Sequence, residues 1–521
     1  MARHRTVLAF LALLAIASAR IVTTYHVFND TIDETPHIGV GMEWLDGGSY
    51  RSEPEHPPLA RLMAAMGPYL LGARYTGLPT AAAEGRAVLK FEGEYDRNLA
   101  MARLGILPFF WLASTVVYLW ARRSFGEPAA FFATLCFTTF PPALAHAGLA
   151  TTDMAATGTM GAAFLALLAW AERPSRLRSF LCGMALAAAV LSKYSSLAFL
   201  PVATVAAVAL YLLLERPGVA WLREWLRARG LSILVVALVA CFFIWAGFRF
   251  SFDRVPAPEL WKGIATVAEH NRNGHPSYLL GRYAEKGQWD YYPVVLAVKT
   301  PMALIALMIA GTVACWNRRR KSHGAYLTPA AFSGGILLFA IVFSHINLGI
   351  RHVLPAFTGL SVIAGVGARQ LWSWGRIGKV VLAVLLFWMV LSSGLSHPDY
   401  LAYFNELARG RPERILVDSD LDWAQDTKRL AIRLKELGVH DLAIDAFNID
   451  YMETLQAQDE FPATRPLNPI QPDKGWNAAS VTRLTLWPLG QPRNKLTAAP
   501  WTDRIPPTER VGHGFLLWYV P

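Results

Sequence analysis

Apolar runs of roughly 20 residues, long enough to cross a hydrocarbon core, alternate with short polar connections as far as residue 396. About eleven can be marked, near 6–25, 100–121, 128–147, 153–171, 179–193, 195–214, 231–250, 293–316, 328–345, 352–372 and 379–396, and each predicts a membrane helix. Two polar stretches between them are long, 26–99 and 251–292. From 397 to 521 the pattern changes. "RILVDSD" and "HDLAIDAF" alternate like strands. Between them, "DWAQDTKRLAIRLKELG" sets Trp423, Leu430, Leu434 and Leu437 on one helical face, with Gly438 as the stop. The fold class expected is therefore an α-helical multi-pass membrane domain, 1–396, followed by a small α/β domain, 397–521.

Charge orients the chain. Alternate connections, "ARRSFGE", "ERPSRLRS", "ERPGVAWLREWLRARG", "NRRRKSHG" and "WSWGRIGK", hold with the N-terminal "MARHR" roughly seventeen Lys and Arg, which marks them as cytoplasmic. The two long loops and the tail then face outward. Segment 215–230, rich in tryptophan and arginine, reads as a short amphipathic helix on the inner surface. The first run resembles a signal peptide in its basic start and "ASA" stretch, but its length favours a retained span.

Composition agrees with a membrane protein: 54% of residues are hydrophobic and 17% charged. The net charge of +11 resides largely in the cytoplasmic loops, so it does not indicate a nucleic-acid partner. The cysteines, Cys136, Cys182, Cys241 and Cys315, lie in or beside apolar runs and show no metal-ligand or disulfide spacing.

Two parts of the first outer loop carry candidate chemistry. In "NDTIDETPHIGVGMEWLDGG", Thr31 and Glu34 have capping-box spacing and "DGG" would end a short helix, so Asp33 and Glu34 can be read as a helix start. The same pair at the mouth of a membrane bundle can also be functional, because carboxylates near lipid are costly. Further on, "SYRSEPEHPPLARL" places Glu55, His56 and Arg61 around a proline pair expected to hold the loop extended.

The acidic pair after the first run and the "HPPL" segment resemble the first outer loop of protein O-mannosyltransferases and, more distantly, of lipid A aminoarabinose transferases. Both are glycosyltransferases of the GT-C class. "AHAGLATTDMAAT", "LSKYSSLAFLP", "YYPVVLAVKTP", "INLGIRHVLP" and "HPDYLAYFNELARG…LVDSDLDWAQDTKRL" resemble further segments of that group in the same order. The resemblance implies a GT-C transmembrane fold and an enzyme that moves a sugar from a polyprenyl-phosphate donor to a hydroxyl of a protein, lipid or glycan acceptor, on the outer face of a bacterial inner membrane. It implies Asp33 as catalytic base, with Glu34 as a second acidic candidate.

A phosphate leaving group needs cations, and the candidates at outer run ends are Lys193, Lys299, Arg351 and His352, with Arg61 from the loop. Snorkelling toward the headgroups is the competing role for the lysines and arginines. His56 and Asp153 are candidates for the acceptor side or for shaping the loop. No cofactor is expected to be required, although a divalent ion near Asp33, Glu55 and His56 is conceivable in this group. The alternating Asp418, Asp420 and Asp422 mimic a calcium loop, but Trp423 and Arg429 stand where that loop needs glycine and glutamate. A transporter or flippase of lipid-linked sugars is the rival reading; the chain shows no paired half-repeats of interrupted runs in its favour.

Overall fold

The computed structural model describes residues 2–217, 219–318, 325–447, 450–468, 470–486 and 499–521. Each apolar run is helical: Ala2–Val22, Leu107–Phe125, Glu127–Thr138 with Pro141–Ala147, Asp153–Glu172, Arg176–Ser192, Ser196–Glu215, Val219–Gly247, Tyr291–Lys299 with Met302–Arg318, Thr328–Val342, Ile350–Val353 with Ala356–Trp372, and Gly375–Leu395. Among the described residues, five helices are long and apolar enough to cross a membrane alone. The number rises to seven if the two bent pairs, at 65° and 111°, each count as one span. Both bends fall at prolines, Pro141–Pro142 and Pro301, which lack the amide that would continue the helix.

Burial separates lipid-facing helices from central ones. Gly375–Leu395 exposes Val380, Val384, Phe387 and Leu391, a stripe at helical spacing suited to lipid contact. The first three turns of Asp153–Glu172 are instead almost wholly buried. The segment expected as a separate surface helix is continuous with the next run, in the 29-residue helix Val219–Gly247. Good helix formers and no internal proline let one ladder run through both. Of the basic connection 317–324, residues 319–324 lie outside the described residues.

The first long loop is built of helices: Glu34–Met42, Pro58–Leu70, Ala81–Leu89 and Tyr95–Leu104. The proline pair does not hold an extended wall. Pro57 caps the second helix in extended conformation and Pro58 starts it, the position where a missing amide costs nothing. Glycines bring these helices into backbone contact. A Cβ on Gly39 would lie 2.1 Å from the Ala81 carbonyl oxygen, and one on Gly85 1.8 Å from that of Thr35. The Glu34–Met42 helix is thereby fixed against the Ala81–Leu89 helix.

The second long loop carries the hairpins β1 (Phe252–Asp253) with β2 (Val255–Pro256) and β3 (Ser277–Leu279) with β4 (Arg282–Ala284). In the tail, β5 (Asp441–Asp445), β6 (Ala463–Pro466), β7 (Gly475–Ser480), β8 (Glu509–Val511) and β9 (Phe515–Val520) form one sheet in the order β6-β5-β7-β9-β8. β5 is parallel to both neighbours, and the β7–β9–β8 side is antiparallel. The expected helix is present as Thr427–Glu436, with Leu430 and Leu434 buried and Gly438 at φ +65° after its end. Two expectations fail nearby. The segment 414–420 forms no strand: single helical turns, Pro412–Arg414 and Asp418–Asp420, flank a short irregular stretch, with Asp418 at φ +60°. Trp423 precedes the helix, in the loop that docks on the membrane bundle. Residues 487–498 lie outside the described residues.

Candidate active site

A cleft of ≈ 240 Å³ opens where the first long loop, the second long loop and the segment 346–352 meet. Asp33, Glu55, His56, Lys193, Arg351 and His352 all line it. Asp33 sits at the N-cap of the Glu34–Met42 helix but makes no side-chain capping bond. Its carboxylate instead accepts a 2.7 Å hydrogen bond from Arg351 Nη1 and remains 29% exposed, enough to meet a ligand.

Arg351 is the centre of the charge arrangement. Its guanidinium also lies 3.9 Å from the Asp153 carboxylate and stacks on the Trp423 ring, 4.2 Å from its centroid. Its Nε is buried without a hydrogen-bond partner, a donor the protein leaves unused. Asp153, the first residue of its helix, accepts a 2.5 Å bond from Lys193 Nζ. Two carboxylates and two cations thus alternate in the order Asp33, Arg351, Asp153, Lys193, with Asp153 buried behind the cleft wall. Trp423 screens one face of Arg351 from water, which strengthens these interactions.

Histidines line the rest of the wall. Burial, reinforced by the positive charge of Arg61, holds His37 and His56 well below the ordinary imidazole value, so both are neutral at pH 7. Their rings meet edge-to-face at 5.0 Å. Arg61 Nε donates to His37 Nδ1 at 3.0 Å, which leaves Nε2 as the protonated nitrogen of a ring that lines the cleft. His275 is lowered to about 4, chiefly by burial, and His352 packs between Phe199 and Tyr292.

Three expected site residues lie elsewhere. Glu34 is fully buried behind the helix it begins. It takes both forks of Arg103 at 2.9 Å and the backbone amides of Thr31 and Ala150 at 2.8 Å each. Glu34 reaches back to the Thr31 amide as the capping-box spacing suggests, but Asp33 rather than Thr31 is the N-cap, and the acceptor capacity of Glu34 is spent on the fold. Arg61 is also fully buried: besides His37 it donates to the Glu53 carbonyl (2.6 Å), the Glu53 carboxylate (2.9 Å) and the Tyr50 hydroxyl (3.2 Å), so it anchors the loop and presents no donor to the cleft. Lys299 donates to the carbonyls of Leu401 and Asp420 at 2.8 and 2.6 Å, and so clamps the tail to the bundle.

The "DSDLD" segment is likewise a docking element. Asp420 accepts from the Ile350 amide at 3.1 Å, next to Arg351, and Asp422 accepts from the Thr482 amide at 2.9 Å. Asp420 fits against Gly349, whose φ of +71° and missing side chain give it room. Among the described residues, no group of three or more His, Cys, Asp or Glu side chains converges as a metal-ligand set. His37, Glu53 and Trp423 join the site without having been expected. His37 was within reach of sequence reading, four residues after Asp33 on one helix face. Trp423 was not, because 390 positions separate it from Asp33.

Residues 97–246 match the model of the dolichyl-phosphate-mannose-protein mannosyltransferase family. In three dimensions the chain is similar to ArnT from Cupriavidus metallidurans. It is 14% identical to ArnT bound to undecaprenyl phosphate, with a TM-score of 0.51, over 97% of this chain and 97% of that one. Apo ArnT gives 0.51 and 14%, over 99% and 98%. A comparison with curated protein sequences gave no match. The chain has the GT-C fold of ArnT, and the family match spans the "AHAGLATTDMAAT" and "LSKYSSLAFLP" segments.

Proposed function

We propose that the protein is an integral-membrane glycosyltransferase that moves a sugar from a polyprenyl-phosphate donor to an acceptor hydroxyl, with inversion at the anomeric carbon, on the extracytoplasmic face of a bacterial inner membrane. One observation carries this reading: Asp33, the partly exposed carboxylate, shares one cleft with Arg351, Lys193 and His352 in a GT-C fold. The acceptor oxygen attacks the anomeric carbon and its proton passes to the Asp33 carboxylate. The bond from that carbon to the phosphate oxygen breaks, and its electron pair stays on the polyprenyl phosphate. Arg351, with its unused Nε, and Lys193 stabilise the charge that builds there. Neutral His56 and His37 supply uncharged donors around the same oxygens, and the His352 ring completes that wall. Asp153 holds Lys193 and Arg351 in position and touches neither sugar nor acceptor.

The rival reading, a flippase of lipid-linked sugars, gives no task to a partly exposed carboxylate beside the cations of the cleft. Asp33→Asn separates the two. The exchange keeps the shape and one acceptor oxygen but cannot take a proton, so turnover should fall by roughly 10² to 10⁴. The measurement is sugar transfer by purified full-length protein at saturating donor. Activity within about threefold of wild type removes Asp33 as the base.

A further inference from the structure

A second groove of ≈ 500 Å³ adjoins the cleft and shares Pro36 and Glu53 with it. Its walls are Ile32 and Thr35 from the start of the Asp33 helix, Ser52 and Glu53 from the loop, and Thr80–Ala82 from the facing helix. Phe447, after β5 of the tail, closes one side. We propose that this groove binds the acceptor, and that the acceptor is a neutral, hydroxyl-rich glycan. The proposal rests on the transferase reading above and adds to it the site and chemical class of the second substrate.

Position is the first argument. A two-substrate transfer needs the acceptor to approach the base from a side the donor does not occupy. The groove meets the cleft at Pro36 and Glu53, beside the first turn of the helix that Asp33 caps. Rigidity is the second. The Gly39–Ala81 and Gly85–Thr35 contacts fix its two helical walls, so a hydroxyl bound there is held in register with Asp33.

Lining chemistry decides the class. The side chains offer three hydroxyls (Thr35, Ser52 and Thr80), one carboxylate (Glu53) and one aromatic ring (Phe447), and among the described residues lining the groove none is cationic. Carboxylate and hydroxyl groups pair with sugar hydroxyls, and an aromatic face accepts the C–H side of a sugar ring. A phosphorylated lipid headgroup would meet the Glu53 carboxylate in a groove whose described lining holds no cation to receive the phosphate. Glu53 is itself held in place by its 2.9 Å ion pair with Arg61, which gives that buried arginine a purpose: it aims the carboxylate between cleft and groove.

Ala82→Trp fills the groove, and Phe447→Ala removes the ring from a half-buried loop position. Each variant and the wild type would be expressed in the native host lacking the gene, and the glycans, lipids and glycoproteins compared by mass spectrometry. Each purified protein would also be titrated with undecaprenyl phosphate by thermal shift. The expected result is a sugar added to a neutral glycan by wild type, reduced about 100-fold by Ala82→Trp and about tenfold by Phe447→Ala, with undecaprenyl phosphate binding within threefold of wild type in both. Unaltered transfer in both variants overturns the groove. Product on a phosphorylated lipid, or on protein Ser or Thr, overturns the glycan class. If wild type and deletion strain differ in no glycosylated product, the transferase reading itself fails, a result distinct from either.

Discussion

Glu34→Gln offers a test of how this loop divides its two adjacent acids between folding and chemistry. The side chain keeps its shape, so no cavity forms. What changes is the charge facing Arg103, which is itself 1% exposed and bonded to both Glu34 oxygens at 2.9 Å. One of the two acceptors becomes an NH₂ group pointing at a guanidinium N–H, leaving a buried cation uncompensated. Removing one partner of a buried pair costs about 3–5 kcal/mol, and since the amide oxygen still accepts, the lower end applies: roughly 3 kcal/mol, or roughly a hundredfold in the folded ratio. For a membrane protein that unfolds irreversibly, the readout is the half-life of folded protein at fixed temperature in detergent. The pH dependence has a definite sign. Burial alone would raise the Glu34 pKa, but Arg103 and the amides of Ala150 and Thr31 outweigh it and hold the group below its ordinary value. The pair therefore stabilises fully above the unfolded pKa of about 4.3, and this contribution is lost as pH falls through the folded value. Glu34→Gln should remove that acid sensitivity. A variant with wild-type half-life and abolished turnover would refute this assignment and return Glu34 to the chemistry.

Arg351→Ala should weaken undecaprenyl phosphate binding and turnover together, while Arg351→Lys, which cannot span Asp33 and the phosphate bidentately, should recover only part; full activity in the alanine variant would reduce Arg351 to a tether for the tail. Asp418 is pushed up to about 7 by burial, with Arg351 opposing and Asp33 adding to it. A carboxyl raised in the folded state binds its proton more tightly there, so stability should fall as pH rises from about 4 to 7; Asp418→Asn should flatten that slope in thermal midpoints taken across the range, and an unchanged slope would assign it to another group.

Local pattern determined the membrane architecture. A run of apolar residues becomes a helix whatever its neighbours do, because backbone amides in lipid have only their own carbonyls to bond. The helix Thr427–Glu436, its glycine stop and strand β5 were legible for the same reason: their periodicity and punctuation are contained in the segment. The outer-loop motifs were also readable as a group, and with them Asp33, Lys193, Arg351 and His352 as cleft residues.

Tertiary structure decided which ionisable groups are free. Glu34 and Lys299 look like site residues by type and position, yet each is consumed by partners that no local pattern reveals: Arg103 lies 69 positions from Glu34, and the Asp420 carbonyl 121 from Lys299. Arg61, by contrast, is spent only eight positions away, on Glu53. "DSDLD" mimics a calcium loop in sequence; folded, it is a buried hub that seats Trp423 on Arg351. Spacing can say that a side chain is able to donate or accept. Whether that capacity is already used depends on chain segments brought together only by the complete fold.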